Sequence, residues 1–251
     1  MADNDTYRGD AAQFYDQQVS VFDRDDAAFY RDRAKSVDGP VLELACGTGR
    51  VYLELLRAGI DVDGIDLSED VLEVLREKAD DEGLDPSVWQ ADMADFAVDR
   101  EYDLIYCPFN AIQELTDVAD QLATVDSVYD ALAPGGQFIF DVFVPDFELI
   151  CEEYGEWQTR DVEYQGEPHT FRTRTDIADE VEQIIAVQNE LRQGDETVFT
   201  ETLEIKLLPR RELELLARLS PFDSWDVAGG FDGEPIEDGD SVQVWTMEKS
   251  P

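Results

Sequence analysis

Val41-Leu42-Glu43-Leu44-Ala45-Cys46-Gly47-Thr48-Gly49-Arg50 decides how the rest of this chain is read. A largely apolar run ends in two glycines one residue apart, and a new apolar spacing begins at once with Val51, Leu53, Leu55 and Leu56. That order predicts a buried strand, a tight turn and a helix start. Glycine suits such a turn because the backbone must take positive φ or approach a ligand closely, and a Cβ obstructs both. The first N–H groups of the helix have no intrahelical partner and point outward, toward polar ligand groups. About 20 residues beyond the turn, Asp66 closes the stretch Val62-Asp63-Gly64-Ile65-Asp66. An acid at that distance is where a nucleotide ribose is gripped.

A dinucleotide fingerprint requires a third glycine at position 52, where Tyr52 stands. The form Glu43-x-Ala45-Cys46-Gly47-Thr48-Gly49 instead resembles the first motif of class I S-adenosylmethionine (SAM)-dependent methyltransferases. Gly64-Ile65-Asp66-Leu67-Ser68 resembles their second motif and Gln90-Ala91-Asp92-Met93 their third. Leu132-Ala133-Pro134-Gly135-Gly136 is similar to the turn before their fifth strand. The four motifs stand in the family's order and cover residues 40–145 well. The resemblance implies an α/β, Rossmann-like, doubly wound sheet of seven mostly parallel strands, with SAM as cofactor.

Composition narrows the partners. Acidic residues number 60 against 19 basic, for a formal net charge of −41, and lysine occurs only at positions 35, 78, 206 and 249. The acids are spread over periodic apolar segments rather than blocked into a tail, so they coat a folded chain. Such a surface suits a high-salt cytoplasm, where self-repulsion is screened, and a halophilic source is expected. A nucleic-acid substrate is disfavoured, since binders normally neutralise phosphates with Lys and Arg. Cys46, Cys107 and Cys151 make no metal-type spacing and suit reduced thiols, so no metal is expected. No apolar stretch approaches 18 residues and no signal peptide opens the chain, so a cytoplasmic protein off the membrane is expected.

Taken in order, residues 1–9 read as frayed. Ala11, Phe14, Tyr15, Val19 and Phe22, then Ala27, Ala28, Tyr30 and Ala34, read as one or two helices. Strands are expected at 41–45, 61–66, 87–90, 102–107 and 138–143, with helices at 49–58, after Ser68, and from Val118 to a stop at Pro134-Gly135-Gly136. Strands alternating with helices imply right-handed crossovers and a parallel sheet, with ligands outside the carboxyl ends of the strands. After residue 155 the period becomes two: Phe171, Thr173, Thr175 and Ile177 alternate with Arg172, Arg174 and Asp176, and Phe199, Leu203 and Ile205 with Thr200, Thr202 and Glu204. This predicts half-exposed antiparallel strands. The expected organisation is a core over 1–154, a β insertion over 155–207 and a C-terminal segment over 208–251; the resemblance implies that the insertion acts as a substrate cover and that the last segment, a helix and hairpin, completes the sheet.

Within that frame the candidate residues follow. Asp66, with Leu67, would hold the ribose; the resemblance places Asp92 and Met93 at the adenine and the main chain of Ala45, Gly47, Gly49 and Cys107 along the cofactor. Glu43 could reach the cofactor's cationic end, or be held by a structural arginine, because an acid in an apolar strand needs a partner. Asn110 and Gln113 could orient an acceptor or cap a helix. Tyr15 and the lone His169 are the weak catalytic candidates, each with packing as the alternative. Arg172 and Arg174 share one strand face and, with Arg160, suit an anionic acceptor or the many nearby acids. The leading function is methyl transfer to N or O of a small molecule. A SAM-binding regulatory module, a nucleic-acid methyltransferase and a nicotinamide oxidoreductase rank behind it.

Overall fold

The computed structural model describes residues 7–19 and 26–251. Phe22 and residues 1–6, read above as helix face and frayed terminus, lie outside the described residues, as does the Val19 side chain. Two helices, α1 (Asp10–Val19) and α2 (Asp26–Lys35), precede the first strand. Then come β1 (Val41–Leu44), α3 (Tyr52–Arg57), β2 (Val62–Asp66), α4 (Glu69–Asp81), β3 (Ser87–Gln90), β4 (Tyr102–Cys107), α5 (Val118–Ala131) and β5 (Leu132–Phe143). A short helix, α6 (Phe147–Glu152), leads into β6 (Gln158–Tyr164), β7 (Glu167–Asp179), β8 (Ile184–Gln193) and β9 (Glu196–Lys206). The chain closes with α7 (Arg210–Leu219), β10 (Ser224–Ala228) and β11 (Val242–Glu248).

The seven-stranded sheet has the order β10-β11-β5-β4-β1-β2-β3, with β11 antiparallel between β5 and β10 and the rest parallel. Both faces are covered, which is why β1, β4 and β5 read as nearly continuous apolar runs. On one face Val125 and Val128 of α5 and Leu213 and Leu216 of α7 pack against Leu42, Ile105 and Phe138. On the other, Tyr30 of α2, Leu53 of α3 and Leu72 and Leu75 of α4 pack against Val41, Leu104 and Ile139. Arginine and acid pairs tie the ends of this layer; Arg57, for example, grips Glu82 across two helices.

Strands β6–β9 form a separate antiparallel meander. Its inner face meets α1: Phe14 packs among Tyr164, Phe171 and Leu191. Helix α1 is thus wedged between the core and the insertion, and Lys78 of α4 anchors it through Asp16 and the Thr48 carbonyl.

One boundary differs from expectation. Pro134-Gly135-Gly136 does not separate helix from strand, because β5 begins at Leu132, directly after α5. Gly135, at φ +82°, donates to the carbonyls of Lys249 and Ser250, and Gly136 accepts from Lys249. These turn residues are drawn into the sheet by the chain's last strand, with a bulge against β4 between Tyr102 and Leu104. Among the described residues no helix is long and apolar enough to cross a membrane.

Candidate functional site

The carboxyl ends of β1, β2, β3 and β4 open into a cavity of about 1270 Å³, roofed by the inner face of the β insertion and closed at one side by α1 with Tyr7 and Arg8. Its floor is the glycine turn. Gly47 sits at φ +54°, and a Cβ there would meet the Tyr15 ring at 3.7 Å. Gly49 (φ +85°) serves packing instead: a Cβ would lie 2.8 Å from Leu75, so it lets α4 approach β1 and does not line the cavity. Ala45, Leu67, Asp92 and Met93 all line the cavity.

Asp66 ends β2 with its carboxylate bound at both oxygens. One accepts from the Gly47 N–H at 2.9 Å and the other from the Ser68 N–H at 2.8 Å. Burial pushes this group up, and those backbone donors oppose the shift. A carboxylate has about four lone-pair sites, so two remain for a ligand. Asp92 is exposed at the end of β3 and caps the Ala94 N–H at 2.9 Å.

Glu43 is 2% exposed in the middle of β1. Its partner is a tyrosine rather than an arginine: the Tyr106 hydroxyl of β4 donates to it at 2.6 Å. Burial raises its carboxyl to about 8, against the lowering effects of Tyr106 and Arg50. Arg50 is itself held by Asp26, in a two-pronged pair of 2.7 and 2.6 Å, with Asp26 wholly buried. The Arg50 guanidinium lies 5.0 Å from the Phe109 ring centre.

After β4 the backbone turns sharply. Phe109 and Asn110 take left-handed φ of 60° and 53°, costly for residues with side chains and tolerated where surroundings enforce them. The buried Asp141 enforces them here, accepting from the Phe109 N–H at 2.9 Å and the Tyr30 hydroxyl at 2.7 Å. Phe109 and Asn110 reach the cavity, whereas Cys107 stays wholly within the core, where burial pushes its thiol up. Gln113 is also displaced from the expected site. Its amide is spent on the Lys206 carbonyl and the Phe143 N–H, bracing a 3₁₀ turn at Ala111–Glu114 against β9 and β5.

The insertion distributes its side chains by strand register. Phe171 pairs with Arg160 and Leu191, Asn189 with Glu201, and Val187 with Leu203, so these share one face. That face meets the cavity. Arg172 and Arg174 do share a face, as the period requires, but it is the other one. Arg172 pairs there with Glu190, Arg174 with Asp176 and Gln188, and both stack on Trp157. Arg160 is the arginine of this insertion that lines the cavity, its guanidinium 5.0 Å from the Phe171 ring. His169 is buried against Tyr164, its Nδ1 at 2.9 Å from the Glu167 carbonyl, and does not line the cavity.

Two acids not expected from the sequence do line it. Glu114 ends the 3₁₀ turn, and its carboxylate accepts from the Tyr7 hydroxyl at 3.3 Å. Glu201 of β9 accepts from Asn189 at 3.2 Å and from the Tyr7 N–H at 3.5 Å. A signal for Glu201 existed: it stands on the same parity as Phe199, Leu203 and Ile205, where a charge is out of pattern.

A match to a family described as "Methyltransferase domain" covers residues 41–136, the span that carries the glycine turn, Asp66 and Asp92. The fold as a whole is similar to that of solved methyltransferase structures. A SAM-dependent methyltransferase from Clostridium acetobutylicum ATCC 824 superposes with a TM-score of 0.77 at 20% identity, over 96% of this chain and 98% of that one. In sequence, the chain is similar to the cypemycin N-terminal methyltransferase of Streptomyces sp (27% over 208 residues, 80% of each). It is also similar to a dTDP-3-amino-3,4,6-trideoxy-alpha-D-glucopyranose N,N-dimethyltransferase of Streptomyces venezuelae (30% over 141 residues, 54% of this chain and 58% of that one). The chain spans about half the length of several of the curated relatives it matches.

Proposed function

We propose that this protein is a SAM-dependent methyltransferase that moves a methyl group to N or O of a small-molecule acceptor. The observation that carries the reading is the convergence of Glu43, the Gly47 turn, Asp66 and Asp92 on one roofed cavity. The residues present fit the cofactor by their donor and acceptor chemistry. Asp66 has acceptor capacity to spare for two ribose hydroxyls, and Asp92 with Met93 offers an acceptor and an apolar ring contact for adenine. The Thr48 hydroxyl is an orphan on the same wall: 1% exposed and without a hydrogen-bond partner among the described residues. When bound, SAM supplies an electrophilic methyl group on a sulfonium. The protein's part is then to position the acceptor, exclude water and hold charge. The methyltransferase relatives, one acting on an amino sugar by its name, support a small-molecule acceptor. An anionic acceptor draws no support from Arg172 and Arg174, which face outward; Arg160 is placed to meet an anionic part.

Calorimetry in molar KCl tests the reading: SAM and its demethylated product bind and NAD does not. Heat from NAD with none from SAM overturns it. Asp66→Ala weakens SAM binding by about 1.5–3 kcal/mol, the worth of hydrogen bonds to a charged group. Asp66→Asn separates ligand contact from turn support, since an amide oxygen can still accept from one of the two backbone N–H groups.

The acid coat supports a high-salt cytoplasm as the working environment. If repulsion among the carboxylates behind the net charge of −41 opposes folding, molar KCl screens it and raises the melting temperature above that in dilute buffer. A flat or falling curve across that range removes the halophilic reading.

A further inference from the structure

The acceptor end of the cavity has its own chemistry. Glu114 and Glu201 reach it from different elements, the 3₁₀ turn after β4 and the insertion strand β9, and both are bound to Tyr7, one at its hydroxyl and one at its N–H. The Tyr7 ring packs edge-on against Tyr15, 4.8 Å between centres, and Tyr15 in turn lies over Gly47. The acidic pair is therefore adjacent to the floor of the proposed cofactor site and under the substrate cover. An aromatic wall lies beside it, and Thr48, whose buried hydroxyl has no partner among the described residues, belongs to the lining of the same cavity.

We propose that Glu114 and Glu201 form the recognition site for a protonated amine, and that Glu114 accepts its proton to release the nitrogen lone pair. This deepens the methyltransferase reading and rests on it. Two carboxylates with hydroxyl and amide neighbours attract an ammonium group and repel an anion. In the proton step an N–H bond of the ammonium breaks and an O–H bond forms on the Glu114 carboxylate. The electron pair stays on nitrogen, the state a methyl acceptor must present, and the two opposite charges are discharged together.

The groups around Glu114 set its affinity for that proton. Burial raises its carboxyl to about 7; Asp66 of β2 and Glu201 of β9 raise it further by repulsion, and the Tyr7 hydroxyl opposes them. Tyr15 faces the same charges and is held well above the usual phenol range, chiefly by burial, so it is no competing proton acceptor. Cys107, behind the turn, is likewise pushed up by burial. Of the cations of the cavity wall, Arg50 is engaged by Asp26 and Arg8 has a partner of its own, while Arg160 lies over the Phe171 ring on the insertion face. A proton affinity near neutrality is what a general base at neutral pH requires.

Two probes of the same shape and opposite charge test this on the full chain without turnover: cyclohexylamine and cyclohexanecarboxylate, titrated by ligand-observed NMR. The amine is expected to bind at least tenfold more tightly than the carboxylate at pH 8. Its affinity should fall as pH drops through about 7, because Glu114 takes a proton there while the amine remains charged. Glu114→Gln should flatten that profile, and Glu201→Gln should lower amine affinity about tenfold while keeping a pH profile, moved to lower pH because the repulsion that raises Glu114 is lost. The wild-type preference and its pH profile need no variant, so a misfolded mutant leaves the test intact. Equal binding of the two probes overturns the proposal. So does a Glu114→Gln variant that loses SAM affinity by calorimetry yet binds the amine normally, which would assign this carboxylate to the cofactor. Failure of the wild type to bind SAM at all would instead remove the methyltransferase reading, whatever the amine result.

Discussion

Asp26→Ala is expected to lower the stability of the fold by about 3–5 kcal/mol, the range for removing one partner of a buried ion pair. Asp26 has no exposure, and it holds both terminal nitrogens of Arg50, whose side chain is 18% exposed. Removing the acid strands a guanidinium over Phe109, with no second ion-pair partner among the described residues to replace it. It also removes the acceptor for the Ala27 N–H at the start of α2. Because Arg50 belongs to the glycine turn and lines the cavity, SAM affinity should fall in parallel. Denaturant unfolding at fixed high salt measures the first effect and calorimetry the second. A loss below about 1 kcal/mol would mean that the pair behaves like an exposed one.

The second large effect is a pH dependence centred on Glu43. Its carboxyl titrates near 8 in the fold and near 4.5 when unfolded, so the folded state holds the proton more tightly. The stability contributed by that proton is fully present below about pH 4.5 and is lost progressively as pH rises toward 8. At about 1.36 kcal/mol per pH unit, the part lost between pH 6 and pH 9 is roughly 2–3 kcal/mol. Glu114, near 7, adds in the same direction but less, because its shift is smaller. Glu43→Gln is neutral at every pH and keeps an oxygen for the Tyr106 hydroxyl. The variant should therefore lose less stability than the wild type between pH 6 and pH 9, by that amount. Parallel pH–stability curves for the two proteins would place the titrating group elsewhere.

Much of this fold is written locally. The apolar runs at 41–44, 62–66, 102–107 and 138–143, each followed by a turn signal or a helical spacing, could form little other than a parallel α/β sheet. In such a sheet the strand ends converge, so Gly47, Asp66, Asp92 and Asn110 were legible as neighbours before any coordinates. Local pattern also placed Arg172 and Arg174 on one face of one strand. Which face met the cavity depended on Phe14, at least 150 residues earlier, finding Tyr164, Phe171 and Leu191; only that packing turned the arginines outward. The same holds for the polar partners. Glu43 meets Tyr106 across 63 positions, Arg50 meets Asp26 across 24, and Tyr7 meets Glu114 and Glu201 across 107 and 194. Periodicity reports which side of an element is apolar, because burial is a one-body preference of each residue. The choice of partner for a buried charge is a two-body event, and it is made only when distant segments close around it.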